Sequence, residues 1–482
     1  MRSRPAIIIT TLAEYQTRFW VPVAHQMSRM GADPFFVSFD DRSSEMIETA
    51  GFPLVAANSL KPVQSDVQAE IFARVKIKRL SFWLSHERLA FGRRDTEGMR
   101  EKLARSILAT EQAIARASDG REKVALVQEV GGFLSVIGSY FAALAAGVDN
   151  WFIEPSFFRG RIILTRNSFA APRFSNGAAS ITKELRAYLD ATLAAGSLVI
   201  PAKDAHHYRS AANKVFNLKN FARLAEKARD KYILGKQQEF GFLGNQVSTH
   251  LRMIQNSRRL SPHYTDISKV GRFIYYPLHV PGDIALTVRS PEYVDQLALV
   301  DFLCRTIPDG YRLVLKEHPA MVGALCARQV LALLRRHDNL FLLPPTTNNY
   351  SVMREARCIV TVNSKSGAEA GLLGKRVFVL GDAFYRDAPY AIPVGKLGDL
   401  SEMLESELAQ APLDLAAPAH LEWFASAWEA SAPGELYVTE ESGVKEFTQS
   451  IIKGCAMPLS GMAGSRPAAA AAASGRAETG PP

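Results

Sequence analysis

The feature that most constrains this chain is the alternation, in its second half, of short apolar runs with longer helix-patterned stretches. Strands are predicted at Arg272–Pro277 (RFIYYP), Tyr311–Lys316, Leu340–Leu343, Cys358–Val362 and Arg376–Leu380. Helices fall between them at Tyr293–Thr306, Ala324–Arg336, Ser351–Ala356 and Gly367–Leu373. Strands joined by such crossovers pair in parallel, and a parallel sheet is covered by helices on both faces. The first half has the same rhythm more faintly. Strands are predicted at Ala6–Thr11, Pro34–Phe39, Phe52–Ala57, Lys123–Gln128 and Trp151–Glu154, with helices at Glu14–Met30 and Phe133–Ala146. Pro53 weakens the third of these strands.

A chain of 482 residues exceeds what one core usually holds. We expect a Rossmann-like N-terminal domain over 1–180, a helical connection over 181–265 and a second Rossmann-like domain over 266–456. Residues 457–482, with the Ala468–Ala473 run amid Gly, Ser and Pro, read as a disordered tail. Two facing α/β domains of this kind, with a final helix near Lys445–Lys453 crossing back to the first, follow the GT-B plan.

The formal charge of +9, from 57 Lys+Arg against 48 Asp+Glu, suits an anionic partner: a nucleotide, an acidic glycan or an anionic membrane surface. It is modest for a nucleic-acid binder, and no such module is recognisable. Basic and apolar residues interleave over Arg74–Arg94, which reads either as a helix packed on the domain or as a membrane-surface contact. The four cysteines, Cys304, Cys326, Cys358 and Cys455, show no CxxC spacing, so neither a disulfide framework nor a zinc site is expected and a cytoplasmic setting fits. The N-terminal apolar run is too short for a signal peptide, and no uninterrupted apolar stretch reaches the roughly 18 residues of a membrane span.

Three segments carry chemistry. In YRLVLKEHP, a strand runs into Lys316, Glu317, His318 and Pro319, at the sheet edge where open α/β folds bind ligands. Lys316 and His318 there can hold a phosphate, with Pro319 fixing the turn; a solvated loop with a structural histidine is the alternative. In CIVTVNSKSGAEAGLLGKRVFVL, a strand ends at Asn363, a turn carries Ser364 and Ser366, and Gly367 opens a helix. Free N–H groups at that helix start, with the serine hydroxyls, suit an anion. Glu369 can accept from ribose hydroxyls or serve as the capping-box partner of Ser366. In YYPLHVPGD, His279 and Asp283 sit in a loop that can face a cleft and exchange protons, or form a plain turn.

In this order PLHVPGD, PDGYRLVLKEHP and VTVNSKSGAEAGLLGKRVFVLGDAFY resemble the capsule polysaccharide biosynthesis family, which includes the β-Kdo transferases. The likeness is good over about Phe273–Tyr385 and weaker at QEVGGF and FIEPSF between Val127 and Glu154. It implies a metal-independent GT-B glycosyltransferase with no tightly bound cofactor. Its donor would be a nucleotide-sugar, CMP-Kdo, and its acceptor a lipid-linked or oligosaccharide glycan, at the inner face of the cytoplasmic membrane or beside capsule assembly proteins. The family's His-Pro motif falls on His318 and Pro319, and its serine turn on Ser364 and Ser366. The chain departs from the pattern at His279, where a glutamine is more familiar. The N-terminal half would supply the acceptor face and a catalytic carboxylate, Glu129 first and Glu154 second, although a strand-end carboxylate is also a common turn residue. Two other readings stand beside this one: a GT-B enzyme with a UDP- or CDP-linked donor or a sugar-nucleotide epimerase, and a non-catalytic partner in capsule assembly or export.

Overall fold

The structure is a computed structural model, and it describes residues 4–121, 123–174, 180–195, 218–410, 413–414 and 417–456. The expected tail at 457–482 lies outside the described residues, as does 196–217 of the helical connection.

Two sheets organise the chain. The first is built from β1 (Ala6–Thr11), β2 (Asp33–Ser38), β3 (Leu54–Ala56), β4 (Val124–Glu129), β5 (Asp149–Pro155) and β6 (Arg161–Arg166). The second is built from β7 (Phe273–Pro277), β8 (Arg312–Lys316), β9 (Leu340–Leu343), β10 (Ile359–Thr361), β11 (Val377–Val379) and β12 (Ala391–Pro393). A last short strand, β13 (Ala432–Pro433), returns to the first sheet, which runs β13-β6-β5-β4-β1-β2-β3. The second runs β12-β11-β10-β7-β8-β9, and all of its pairings are parallel. Both sheets reverse direction between their first and fourth strands, at β1/β4 and at β7/β10. A doubly wound sheet opens a ligand crevice at such a point, outside the strand C-termini.

The strands form where the sequence is β-branched and apolar on both faces. Ile7, Ile8 and Ile9 on β1 and Ile274, Tyr275 and Tyr276 on β7 are buried, as central parallel strands require. β3 starts after Pro53, whose carbonyl still accepts from Phe36 N at 2.8 Å. The first sheet's far edge is antiparallel, because β6 pairs with β5 from Trp151↔Arg166 to Pro155↔Ile162; this strand was not expected. The Arg74–Arg94 stretch is two elements, not one helix. Helix Ser65–Arg74 ends in a turn with left-handed Lys76 and Arg79, and helix Leu80–Phe91 follows. The second helix buries Leu84, His86 and Glu87 against the domain, so packing accounts for its apolar side.

The final helix, Glu441–Ala456, leaves the second sheet and packs on helix Glu14–Arg29. Val444, Phe447 and Ile451 join the core of the first sheet beside Phe19 and Trp20. A separate core joins the halves: Phe157, Phe158 and Phe174 pack with β7, Tyr385, Tyr390 and the Trp423–Trp428 helix. Among the described residues no helix is long and apolar enough to cross a membrane.

Candidate active site at the second sheet's switch point

The C-terminal ends of β7, β8 and β10 bring the three motif segments together. Leaving β7, His279 is clamped at its backbone by Gln296, whose side chain accepts from His279 N at 2.7 Å and donates to His279 O at 3.1 Å. Across the reversal, Asn363 N points at His279 Nε2 at 3.4 Å. This fixes Nε2 as the acceptor, so the neutral ring carries its proton on Nδ1, a buried atom without a partner among the described residues. Burial, and then the neighbouring His318, lower the His279 pKa to about 4, so the ring is neutral at pH 7. Asn363 donates to Ala285 O at 2.6 Å and to Ser290 Oγ at 3.1 Å, while its own side-chain oxygen stays buried and unmatched.

From β8, Lys316 is only 4% exposed, and burial lowers its pKa to about 8 against the opposing pull of Glu369. Glu369 is buried in turn, which raises its pKa to about 8 although Lys365 and Lys316 favour its charged form. No ion pair joins Lys316 to Glu369 within 4.0 Å, and with both pKa values near 8 the two groups at pH 7 are mainly an ammonium and a protonated carboxyl. Glu317 is structural: its carboxylate accepts from Gly323 N at 2.9 Å and from Tyr264 Oη at 3.2 Å. His318 is half-buried, and Pro319 opens a 3-10 turn whose Met321 N donates to His318 O at 2.9 Å.

The serine turn behaves differently from expectation. Helix Ser366–Leu372 has Lys365 at its N-cap, and no side chain caps it, so Ser366 and Glu369 form no capping box. Its first donors are taken within the turn: Ser366 N by Ser364 Oγ at 3.3 Å, Gly367 N by Ser364 O at 2.9 Å and Ala368 N by Lys365 O at 3.0 Å. The helix start is therefore not a row of free N–H groups. Ser366 Oγ accepts from Asn349 Nδ2 at 3.1 Å, and Asn349 accepts from Tyr275 Oη at 2.7 Å. Gly367 is required by packing, since a Cβ there would come 2.3 Å from Tyr385 Oη. Tyr385 Oη in turn donates to Ser364 O at 2.5 Å and holds the turn in place.

Asp283 is not part of this cluster. It is exposed, and its carboxylate caps the short helix Ile284–Thr287 by accepting from Ala285 N at 2.8 Å. Glu154 is likewise committed, in a bidentate ion pair with Arg289 at 2.8 and 3.1 Å that joins the halves. Glu129 ends β4 at the other switch point, half-buried, with both carboxylate oxygens 2.6 Å from Tyr437 Oη. Its β5 neighbour is Ile153. Two residues further on, roughly 7 Å along the strand, Pro155 O accepts from Lys365 Nζ at 3.3 Å. The serine turn thus reaches the edge of the first sheet near Glu129. Sequence reasoning gave no role to Arg289, Ser290, Asn349, Tyr385 or Tyr437; of these only Tyr385 lies in a quoted motif, at its last position.

Among the described residues no group of three or more His, Cys, Asp or Glu is placed to hold a metal ion. The arrangement offers a desolvated ammonium, a histidine at a strand end and hydroxyl donors, the chemistry of an anion site. Two doubly wound domains of this kind define a GT-B-type class of fold.

Comparison with known proteins agrees with the sequence resemblance. Residues 202–388 match the family described as "Capsule polysaccharide biosynthesis protein". Protein FixF of Sinorhizobium fredii is 28% identical over 143 residues, 29% of this chain; the match spans about a third (34%) of that relative's length. Solved structures similar to the chain include UDP-GlcNAc 2-epimerase from Neisseria meningitidis bound to UDP-GlcNAc, at 13% identity over 93% of this chain and 98% of that one, TM-score 0.28. Another is KpsC of Thermosulfurimonas dismutans, a beta Kdo 2,7 transferase, at 14% identity over 71% and 89%, TM-score 0.33. Scores this low carry no weight for activity, and the fold rests on the strand orders given above.

Proposed function

We propose that this protein is a glycosyltransferase of capsule or surface polysaccharide biosynthesis that takes a nucleotide-sugar, CMP-Kdo, as its donor. The observation that carries the reading is the meeting of Lys316, His318, His279 and Asn363 at one switch point, in the stretch that matches the capsule polysaccharide biosynthesis family. Lys316 is buried without an ion-pair partner within 4.0 Å among the described residues, which is costly unless a ligand supplies the counter-charge. A nucleotide phosphate supplies it. In the reaction, Lys316, His318 and the hydroxyls of Ser364 and Ser366 stabilise charge growing on the departing phosphate, the part otherwise given to a cation. Glu369, buried beside Lys316, faces the nucleoside side and accepts from ribose hydroxyls. Glu129, aimed by Tyr437, accepts the proton of the acceptor hydroxyl.

The test is a binding titration with CMP, CDP, UDP and GDP, repeated on His318→Ala and on the Ser364→Ala/Ser366→Ala double variant. Selective CMP binding, weakened in both variants, supports the assignment. Preference for another nucleotide moves the donor, and binding of none removes the reading in favour of a non-catalytic role in capsule assembly.

A further inference from the structure

Nine large apolar side chains stand out as exposed among the described residues, and five of them, Tyr232, Ile233, Leu234, Val247 and Leu251, fall within twenty residues of one another in the connecting segment. Tyr232 and Ile233 are 72% and 76% exposed and Leu251 is 61% exposed. Tyr232 ends helix Leu218–Tyr232, while Val247 and Leu251 lie one turn apart, on one side of helix Leu243–Leu260. Lys231 Nζ donates to Gly241 O at 2.8 Å, which holds the end of the first helix against the approach to the second. The apolar tip and the apolar helix side are therefore neighbours.

The charge around them is one-sided. Residues 225–260 contain seven Lys or Arg (Lys227, Arg229, Lys231, Lys236, Arg252, Arg258, Arg259) and three acids (Glu226, Asp230, Glu239). All three acids pair with the N-terminal domain, Asp230 and Glu239 from buried positions and Glu226 from an exposed one. Asp230 and Glu226 pair with Arg42 at 2.6 and 2.8 Å, and Glu239 pairs with Lys102 at 2.7 Å. Arg229, Arg252, Arg258 and Arg259 stay exposed. An apolar tip ringed by cations is the chemistry of an interfacial anchor in an anionic bilayer.

The position fits as well. Helix Leu243–Leu260 is fixed to the loop that follows His318 and Pro319: Asn256 Nδ2 donates to Gly323 O at 2.9 Å, and Asn256 Oδ1 accepts from Ala327 N at 3.2 Å. Leu251 is five residues, about 7.5 Å of helix axis, from Asn256. We infer that the tip Tyr232–Leu234 and the Val247/Leu251 side of the next helix seat the protein on an anionic lipid surface, beside the crevice that holds His318. This replaces Arg74–Arg94, whose apolar side is packed inward, as the membrane-facing element. It does not depend on which nucleotide the crevice takes.

The experiment is co-sedimentation of the full chain with vesicles of phosphatidylglycerol and phosphatidylethanolamine, against vesicles of phosphatidylcholine alone. Selective binding to the anionic vesicles is expected. It should fall at least tenfold in Tyr232→Ser/Ile233→Ser/Leu251→Ser and several-fold in Arg229→Glu/Arg252→Glu, with thermal midpoint and nucleotide binding unchanged in both. Failure of the parent protein to bind anionic vesicles, or equal binding by the triple variant, overturns the inference. So does light scattering that shows a dimer dissociated by the triple variant, since the patch would then face a second copy. Loss of nucleotide binding in the parent protein would count against the donor site and leave the vesicle result standing.

Discussion

The two switch points are built alike and leave different kinds of polar group without partners. At β1/β4 Gln128 donates to Asn150 Oδ1 at 2.6 Å and to Val136 O at 3.3 Å and accepts from Thr10 Oγ1 at 3.3 Å, while Thr11 Oγ1 and Asn150 Nδ2, neither of them ionisable, lack a partner among the described residues. Glu129, at the strand end, is held by Tyr437. At β7/β10, among the described residues, His279 Nδ1 and the Asn363 side-chain oxygen are unmatched and Lys316 has no counter-ion within 4.0 Å. Buried polar groups are normally hydrogen-bonded, so each exception asks for a reason. What sets β7/β10 apart is that its unmatched groups include an ionisable lysine and a histidine, the kinds of group a charged ligand would satisfy.

The sharpest way to break the contrast is His318→Ala. If His318 meets the phosphate only as charge develops, kcat should fall by about 10²–10³-fold, with the thermal midpoint held within a degree or two, because the side chain is half-buried at a loop. Turnover measured at saturating donor decides it. A normal rate would remove His318 from the chemistry.

Next in size is the pair that sets the two crevices against each other. Glu154 and Arg289 are buried, with side-chain exposures of 15% and 11%, so Glu154→Ala strands a buried guanidinium and should cost about 3 kcal/mol. Denaturant unfolding reads the loss, and Glu154→Ala/Arg289→Met should recover much of it. If the single variant were neutral, the halves would be held by the Phe157/Trp423 core, the final helix and contacts such as Arg173–Asp382, without help from this pair.

How much of this was legible beforehand follows from distance along the chain. The strand ends at Lys316, His318 and Asn363 could be read because each motif is contiguous with the strand that aims it. The Ser366/Glu369 spacing pointed equally to a capping box, and only the fold shows Lys365 at the cap and Glu369 buried opposite Lys316. Glu154 and Arg289 are 135 residues apart and Glu129 and Tyr437 are 308 apart, so no local pattern can announce either pair. β6 was missed because an antiparallel strand breaks the β-α-β rhythm that found the others, and Asp283 could be read either way because a carboxylate at a helix start and one in a cleft look alike in sequence.

A smaller effect sharpens the claim that Lys316 serves a ligand and not the fold. Lys316→Met keeps the stem and removes the charge. CMP affinity should drop by about ten- to a hundredfold, as expected for a lost charge-assisted contact of 1.5–3 kcal/mol, while the thermal midpoint stays level or rises because a desolvated ammonium is gone. In the parent protein, affinity should weaken as pH rises through about 8, where Lys316 loses its proton. Lys316→Arg, which does not titrate there, should move that limb upward. Affinity that ignores pH between 7 and 9 would detach Lys316 from the phosphate.

The smallest effect concerns Glu369, and its sign separates stability from binding. Its folded pKa of about 8 stands above the ordinary value of 4.5, so between the two the folded state holds a proton that the unfolded state has released. Stability from this group is full below about pH 4.5, declines above it, and is lost as pH rises through about 8. Glu369→Gln has no proton to lose and should flatten this part of the profile. The difference between urea midpoints at pH 5 and pH 8, converted to free energy, should shrink by the order of 2 kcal/mol. Lys316 acts in the opposite sense over a higher window: its depressed pKa makes its contribution full only above about 10.5, lost as pH falls through about 8. The two slopes therefore meet near pH 8, and a bound nucleotide should erase both by pairing the lysine and hydrogen-bonding the carboxylate. If CMP left the profile of the parent protein unchanged, the unmatched groups at β7/β10 would be a property of the fold, and the contrast between the two crevices would no longer point to a donor.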